Sequence, residues 1–250
     1  MPTEESRRPR PPAPTDDWAL FLDVDGCLLD FAPRPDAVAV PDVLRKALAD
    51  LAMRLDGALA LVSGRPLATL DTLFAPLRLP AAGLHGLERR GADGRLIEAP
   101  APAPLLAKVR QDARRIADRH PGALVEDKGA ALALHWRTAP DAADDLRAFA
   151  AAALPWLQGY RVQPGDHVVE LRPASADKGD AIAAFLEEAP FKGRRPVFAG
   201  DDLTDEHGFE VVNAREGLSV LVGGRKGSAA RFGLRDPDDV RAWLGCGHVA

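Results

Sequence analysis

The chain has 250 residues, 46% of them hydrophobic, and a formal net charge of -5 at pH 7. That length supports one large domain or a core with a smaller companion, and the acidic balance argues against a broad nucleic-acid-binding face. With a mean hydropathy of -0.14 and no apolar run approaching the about 18 residues of a membrane helix, no membrane span is expected. Residues 1–16 include Ser6-Arg7-Arg8-Pro9-Arg10-Pro11-Pro12 and lack the apolar core of an export signal. They read as a disordered Pro/Arg-rich tail, and the cytoplasm is the expected compartment. Two cysteines at opposite ends, Cys27 and Cys246, give no disulfide framework and fit a reducing environment.

Trp18 to Val24 reads as a strand that runs into Asp23-Val24-Asp25-Gly26. Side chains alternate along a strand, so Asp23 and Asp25 leave on one side and Val24 on the other. Two neighbouring anions repel. The pair calls for a bridging cation, or for one protonated member that does acid work, with a solvated turn as the alternative. Cys27 beside them reads as a small packed residue rather than a reactive thiol, because nearby anions oppose the thiolate.

Pro41 to Leu55 is a predicted helix, with Val43, Leu44, Ala47, Leu48, Leu51 and Leu55 at helical spacing and Pro41 opening it. Ala58 to Val62 is a second strand, ending in Ser63-Gly64-Arg65-Pro66 before a helical stretch to Phe74. Strand, helix and strand at this spacing imply a parallel crossover, which places Asp23, Asp25 and Ser63 on one rim.

After a strand near Pro80 to Leu84 the pattern changes. Leu87 to Ile97 reads as a hairpin around Asp93-Gly94, and antiparallel signals continue at Ala123 to Val125, Ala130 to Trp136 and His167 to Leu171. Helical segments near Pro104 to Arg119 and Asp141 to Ala153 interleave with them. This reads as a separate α+β insert, with Trp136 and Trp156 anchoring its core.

From Asp177 the alternation resumes: helix 177–188, strand 196–199, helix 204–212 and strand 218–222. Pro196 to Glu206 repeats the first pattern of apolar strand, glycine and clustered acids, here Asp201, Asp202 and Asp205. Two acid-bearing strand ends suggest one shared metal. Oxygen donors suit a hard octahedral ion such as Mg2+, and no zinc-like Cys/His spacing competes. The expected fold class is α/β, a doubly wound, mostly parallel Rossmann-like core at 17–87 and 173–250, with an inserted smaller α+β cap at 88–172.

Asp23-Val24-Asp25-Gly26, Ser63-Gly64-Arg65, Lys178-Gly179 and Gly200-Asp201-Asp202 with Asp205 resemble, in order and spacing, the four motifs of the haloacid dehalogenase superfamily of phosphohydrolases. An insert between the second and third motifs is similar to that superfamily's C2-type cap. Gly83-Leu84-His85-Gly86-Leu87-Glu88, Glu126-Asp127-Lys128 with His135-Trp136-Arg137, and Val169-Glu170-Leu171-Arg172-Pro173 resemble the trehalose-6-phosphate phosphatase family over roughly residues 18–245.

The resemblance implies a phosphoric monoester hydrolase acting on trehalose 6-phosphate. Asp23 would be the nucleophile and Asp25 the general acid and base. Mg2+ would be held by Asp23, the Asp25 carbonyl and Asp201, with Asp202 and Asp205 as direct or supporting partners whose order is left open. Ser63 would donate to a phosphate oxygen, against the alternative of a helix N-cap. Lys178 would pair with Asp23 and the transferred group. Arg65, His85, Glu88, Glu126, Lys128, Glu170 and Asp205 would contact the substrate, against surface ion pairing for Glu126 and Lys128. His135, on a mostly apolar strand, reads instead as a packing residue.

Cap closure about hinges near 86–92 and 171–176 is expected, in a monomer coupled functionally to a trehalose-6-phosphate synthase. Other sugar phosphatases, such as those acting on sucrose phosphate, and a catalytically silent sugar-phosphate sensor stand as alternatives.

Overall fold

The computed structural model describes residues 8–32 and 37–245. The chain divides into two compact units, one holding the residues up to Ile97 and from Asp177 on, the other Glu98–Ala176. In chain order the first part of the larger unit is β1 (Trp18–Leu22), α1 (Asp42–Arg54), β2 (Leu59–Val62), α2 (Leu67–Phe74), β3 (Ala81–Gly83), β4 (Glu88–Arg90) and β5 (Leu96–Ile97). The smaller unit is α3 (Leu106–Ala117), β6 (Leu124–Asp127), β7 (Leu132–His135), α4 (Ala143–Ala153), β8 (Tyr160–Gly165) and β9 (Val168–Pro173). The larger unit then resumes with α5 (Lys178–Leu186), β10 (Arg195–Gly200), α6 (Glu206–Asn213), β11 (Leu218–Val222), β12 (Phe232–Leu234) and α7 (Pro237–Trp243).

The large sheet has the order β12-β11-β10-β1-β2-β3-β4-β5. It is parallel from β12 through β3 and antiparallel at β4 and β5. Its central strands β1 and β2 are buried throughout, as continuous apolar runs must be when both sheet faces are covered. Phe21, Phe185 and Phe191 meet over the sheet with ring centroids 5.0–5.9 Å apart. Strand order reverses at β1, so the loops after β1, β2 and β10 gather at one switch point, the usual ligand crevice of an open α/β sheet.

Several expectations shift. The hairpin at 88–97, assigned from sequence to the insert, extends the large sheet. Arg90 forms a two-pronged pair with Asp71, at 2.7 and 2.8 Å, and Arg89 does the same with Glu188. These forks, each with a buried arginine and a partly exposed acid, hold the strand where an alternation pattern cannot assign a sheet. At the other boundary, residues 173–176 fall in the smaller unit. In α1, Val43 lies on the solvent side while Leu44, Leu48 and Leu51 are buried.

The tail also differs from expectation. Residues 1–7 and Cys246 lie outside the described residues, but 8–16 pack on the larger unit. Pro9 accepts from the Gly233 amide, Pro12 from the Trp243 indole at 2.7 Å, and Arg10 pairs with Asp239. Proline-rich backbone keeps its carbonyls free as acceptors, which composition alone does not reveal.

The smaller unit folds a sheet of order β6-β7-β9-β8, antiparallel throughout, against α3 and α4. Leu132, Leu134, Trp136, Val169 and Leu171 form its core with Leu106, Val109 and Leu146. Trp156, expected there, is 66% exposed. It closes a short turn, Leu154–Trp156, in which no side chain is buried.

Candidate active site

Asp23 follows β1 by one residue, and its amide still donates to Ala199 of β10 at 2.9 Å. The chain then turns sharply, with the Leu28 and Leu29 amides bonding back to Val24. Gly26 has φ +79°, and a Cβ there would stand 2.2 Å from Asp201 Oδ2. Only glycine allows both the left-handed backbone and the approach of the second acidic loop.

Asp23, Ser63, Lys178 and Asp205 are all buried. Lys178 Nζ lies 2.9 Å from Asp23 Oδ1 and 2.7 Å from Asp205 Oδ1. A cation at the first residue of α5 opposes the helix dipole; the two carboxylates outweigh this, and Asp177 and Asp180 close a capping box around the same turn. Asp205 Oδ2 accepts from the Asp201 and Asp202 amides at 3.0 and 2.9 Å. At Gly200 a Cβ would lie 2.4 Å from Asp205 Cγ, so glycine is required there as well.

The oxygens of Asp23, Asp201 and Asp205 lie within 4.8 Å of one another. Asp202, one of the two acids expected as a direct or supporting partner of the metal, caps the Leu203–Asp205 turn. That turn swings Asp205, expected against the substrate, underneath the loop. With 0% exposure and both oxygens engaged, Asp205 supports Lys178 and the acidic loop.

Burial pushes the Asp23 carboxyl up to about 7, with Lys178 pulling it down and Asp205 adding to the rise. Asp201 is pushed up to about 10, by burial first and then by Asp23 and Asp205. Burial alone would lower Lys178, but Asp205 and Asp23 outweigh it and hold its ammonium charged beyond the usual range. Asp201 Oδ1 is buried without a hydrogen-bond partner. Three carboxylates, one ammonium and an orphaned oxygen make an oxygen-only donor set short of positive charge, which fits a hard divalent cation such as Mg2+.

Asp25 is gripped by Arg65 through both carboxylate oxygens, each at 2.7 Å. Ser63 Oγ accepts from the Arg65 amide at 3.1 Å. It does not cap α2, where Pro66 occupies the N-cap, and its own hydroxyl proton is free of that bond. Glu88 caps α2 from a distance, its Oε2 accepting from the Leu67 amide at 2.8 Å. This carboxylate, expected at the substrate, thus serves the helix start. His85 has φ +55° and lies over Gly64, whose Cβ would approach its Nε2 to 2.6 Å.

Cys27 is fully buried. Burial and then the anions Asp23, Asp201 and Asp205 push its thiol well above the ordinary range, so it packs rather than reacts. Cys27→Thr is expected to retain turnover. Loss of most phosphate release in a variant that melts like the parent would overturn this.

Sequence reasoning passed over Arg225. It pairs with Glu206 and reaches the main-chain oxygens of Asp201 and Asp202 at 3.4 and 3.3 Å, tying the acidic loop to the loop after β11. Its one signal was a basic residue after Gly223-Gly224, at the end of the strand beside β10.

In the smaller unit, Glu126 and Glu170 stand opposite Ala133 from either side, on β6 and β9. Lys128 forms a close buried pair with Glu170 and lies 4.0 Å from Glu126. His135 Nε2 meets Glu126 Oε2 at 2.8 Å. The ring is thus satisfied by a carboxylate rather than packed among the apolar core residues. His135 shares the sheet face of Ala133, opposite to that of the core residues Leu132 and Leu134. Arg137 pairs with Asp166.

The family model described as Trehalose-phosphatase matches residues 21–238. A probable trehalose-phosphate phosphatase of Sinorhizobium fredii is 50% identical over 83% of this chain and 78% of its own. Trehalose-6-phosphate phosphatase of Escherichia coli is 44% identical over 91% of this chain and 85% of its own. The C-terminal domain of C. albicans trehalose-6-phosphate phosphatase shares the fold, with a TM-score of 0.84 and 22% identity over 98% of this chain and all of that one. The chain belongs to the trehalose-phosphatase family of phosphoric monoester hydrolases.

Proposed function

We propose that this chain hydrolyses trehalose 6-phosphate to trehalose and inorganic phosphate, with Mg2+ as cofactor and an aspartyl phosphate on Asp23 as intermediate. The reading is supported by the activity for which its relatives are named. The observation that carries it is the buried Asp23 carboxylate at the strand end, 2.9 Å from Lys178 and two residues from an Asp25 held by Arg65.

In the first step an oxygen of Asp23 attacks phosphorus and the bond to the sugar 6-oxygen breaks with its electron pair, while Asp25 delivers a proton to that oxygen. In the second, Asp25 takes a proton from water, the water oxygen attacks phosphorus, and Asp23 leaves as a carboxylate. Arg65 occupies both Asp25 oxygens as acceptors; an arriving phosphoryl group offers the guanidinium a second anion and frees Asp25 to carry its proton. Ser63 donates to a phosphoryl oxygen, and Lys178 offsets charge on Asp23 and on the transferred group. A Mg2+ held by Asp23, Asp201 and the Asp25 carbonyl would neutralise the anions meeting there. Glu126, Lys128 and Glu170 select the sugar by hydrogen bonds to its hydroxyls, leaving buried polar groups unpaired with the wrong one. A trehalose-6-phosphate synthase is the functional partner that supplies the substrate.

The test is phosphate release from trehalose 6-phosphate beside glucose 6-phosphate and sucrose 6-phosphate, with and without Mg2+. Preference for trehalose 6-phosphate by several orders of magnitude, lost with EDTA, is expected. Equal slow release from all three would leave a phosphatase without this specificity, and no release would turn attention to a sugar-phosphate sensor.

A further inference from the structure

We propose that His135 is a positioning residue for sugar selection, acting through Glu126; this rests on the reading that Glu126 binds the sugar. A carboxylate only accepts hydrogen bonds, so a contact of 2.8 Å between His135 Nε2 and Glu126 Oε2 requires the ring proton on Nε2. The need for this donor follows from Lys128. Its ammonium forms a close pair with Glu170 and stands 4.0 Å from the same Oε2 of Glu126, so one lysine faces two carboxylates and binds one of them tightly.

His135 supplies the missing donor to the other. With Oε2 fixed by the imidazole, Oε1 is the oxygen left to accept from a ligand hydroxyl. Glu126 is also the more open of the two acids, 27% exposed against 8% for Glu170. Burial pushes Glu126 up, but the His135 bond and the Lys128 charge outweigh it and hold the carboxyl below the usual range, against the opposing Glu170. The backbone fits this role. Leu124 faces His135 across the ladder while Glu126 faces Ala133, so the imidazole and the carboxylate are diagonal neighbours on one sheet face, within reach for long side chains.

His135→Phe keeps a ring and removes the donor, whereas His135→Gln keeps an amide donor. The Phe variant is expected to raise KM for trehalose 6-phosphate about tenfold or more, the cost of a lost hydrogen bond to a charged group. Its kcat should hold, and so should its hydrolysis of a sugar-free aryl phosphate. The Gln variant should recover most of the KM loss, and the Phe change should add little on top of Glu126→Gln.

An unchanged KM in a folded His135→Phe variant, or an equal loss with the aryl phosphate, overturns the proposal. If the Phe variant does not fold, nitrogen NMR of histidine-labelled parent protein decides: an Nε2–H tautomer at His135 supports the role, and an Nδ1–H tautomer overturns it. A parent chain that releases no phosphate from trehalose 6-phosphate overturns the functional reading itself, an outcome distinct from release with unchanged KM in the variant.

Discussion

Asp23→Asn is expected to lower phosphate release by on the order of 10^4-fold or more, the scale on which loss of a covalent nucleophile is felt, while the fold is retained. An amide is close in shape to a carboxylate, and Lys178 keeps its 2.7 Å bond to Asp205. The same variant has a second signature without substrate. In the metal-free parent, Asp23 moves from the usual 3.8 to about 7, chiefly through burial. The folded state then binds a proton that the unfolded chain has already lost. Its stabilising contribution is complete below the unfolded value and disappears as pH rises through about 7.

Thermal melts in EDTA should therefore show the parent losing stability as pH rises from 4 to 8, with part of that slope gone in Asp23→Asn. Added Mg2+ must displace the proton, so its apparent affinity for the parent should climb over the same window. A variant with parental turnover would remove Asp23 from the chemistry. An unchanged slope would remove its proton from the balance.

Lys178→Met is expected to fail in both stability and turnover. The ammonium is buried between Asp23 and Asp205, with Asp201 beside them. Deleting one partner of a buried ionic cluster costs about 3–5 kcal/mol, because the remaining charges keep their desolvation penalty and lose their attraction. The loss should be smaller in acid, where a carboxylate takes a proton, and Mg2+ should restore part of it by supplying positive charge to the same oxygens. Melting of the variant against the parent, with and without Mg2+, measures both effects. A Lys178→Met protein as stable as the parent at neutral pH, with or without Mg2+, would mean that the cluster is balanced by something other than this lysine.

The rim of Asp23, Ser63, Lys178 and Asp201 was legible because each residue stands where an apolar run stops or a helix starts, and a parallel sheet brings such points together. Which acid turns inward was not. Asp202 and Asp205 have equal chemistry, and only the tight turn at Leu203–Asp205 decides that the farther one reaches Lys178. The bond from the Leu67 amide to Glu88 was hidden for a related reason, since the two residues are distant in sequence. His135 followed an apolar alternation that correctly gave a strand. Its partner lies on the neighbouring strand, and register is not written in either segment alone. The hairpin at 88–97 was recognised as a hairpin, but its sheet depended on arginine forks to Asp71 and Glu188, contacts between residues far apart in the chain.

Those forks also define where one unit stops. Because Arg89 and Arg90 are anchored in the larger unit, the chain leaves it after Ile97 and re-enters at Asp177, whose side chain caps the helix that begins with Lys178. The exit and the return are thus built from residues the larger unit itself secures, and the re-entry point is welded to the reaction centre. For chimaeras that trade sugar preference between relatives, the natural splice sites are these two junctions. A cut at 88 or 172 would sever a sheet edge or divide β9, and so confound a change of specificity with a loss of fold.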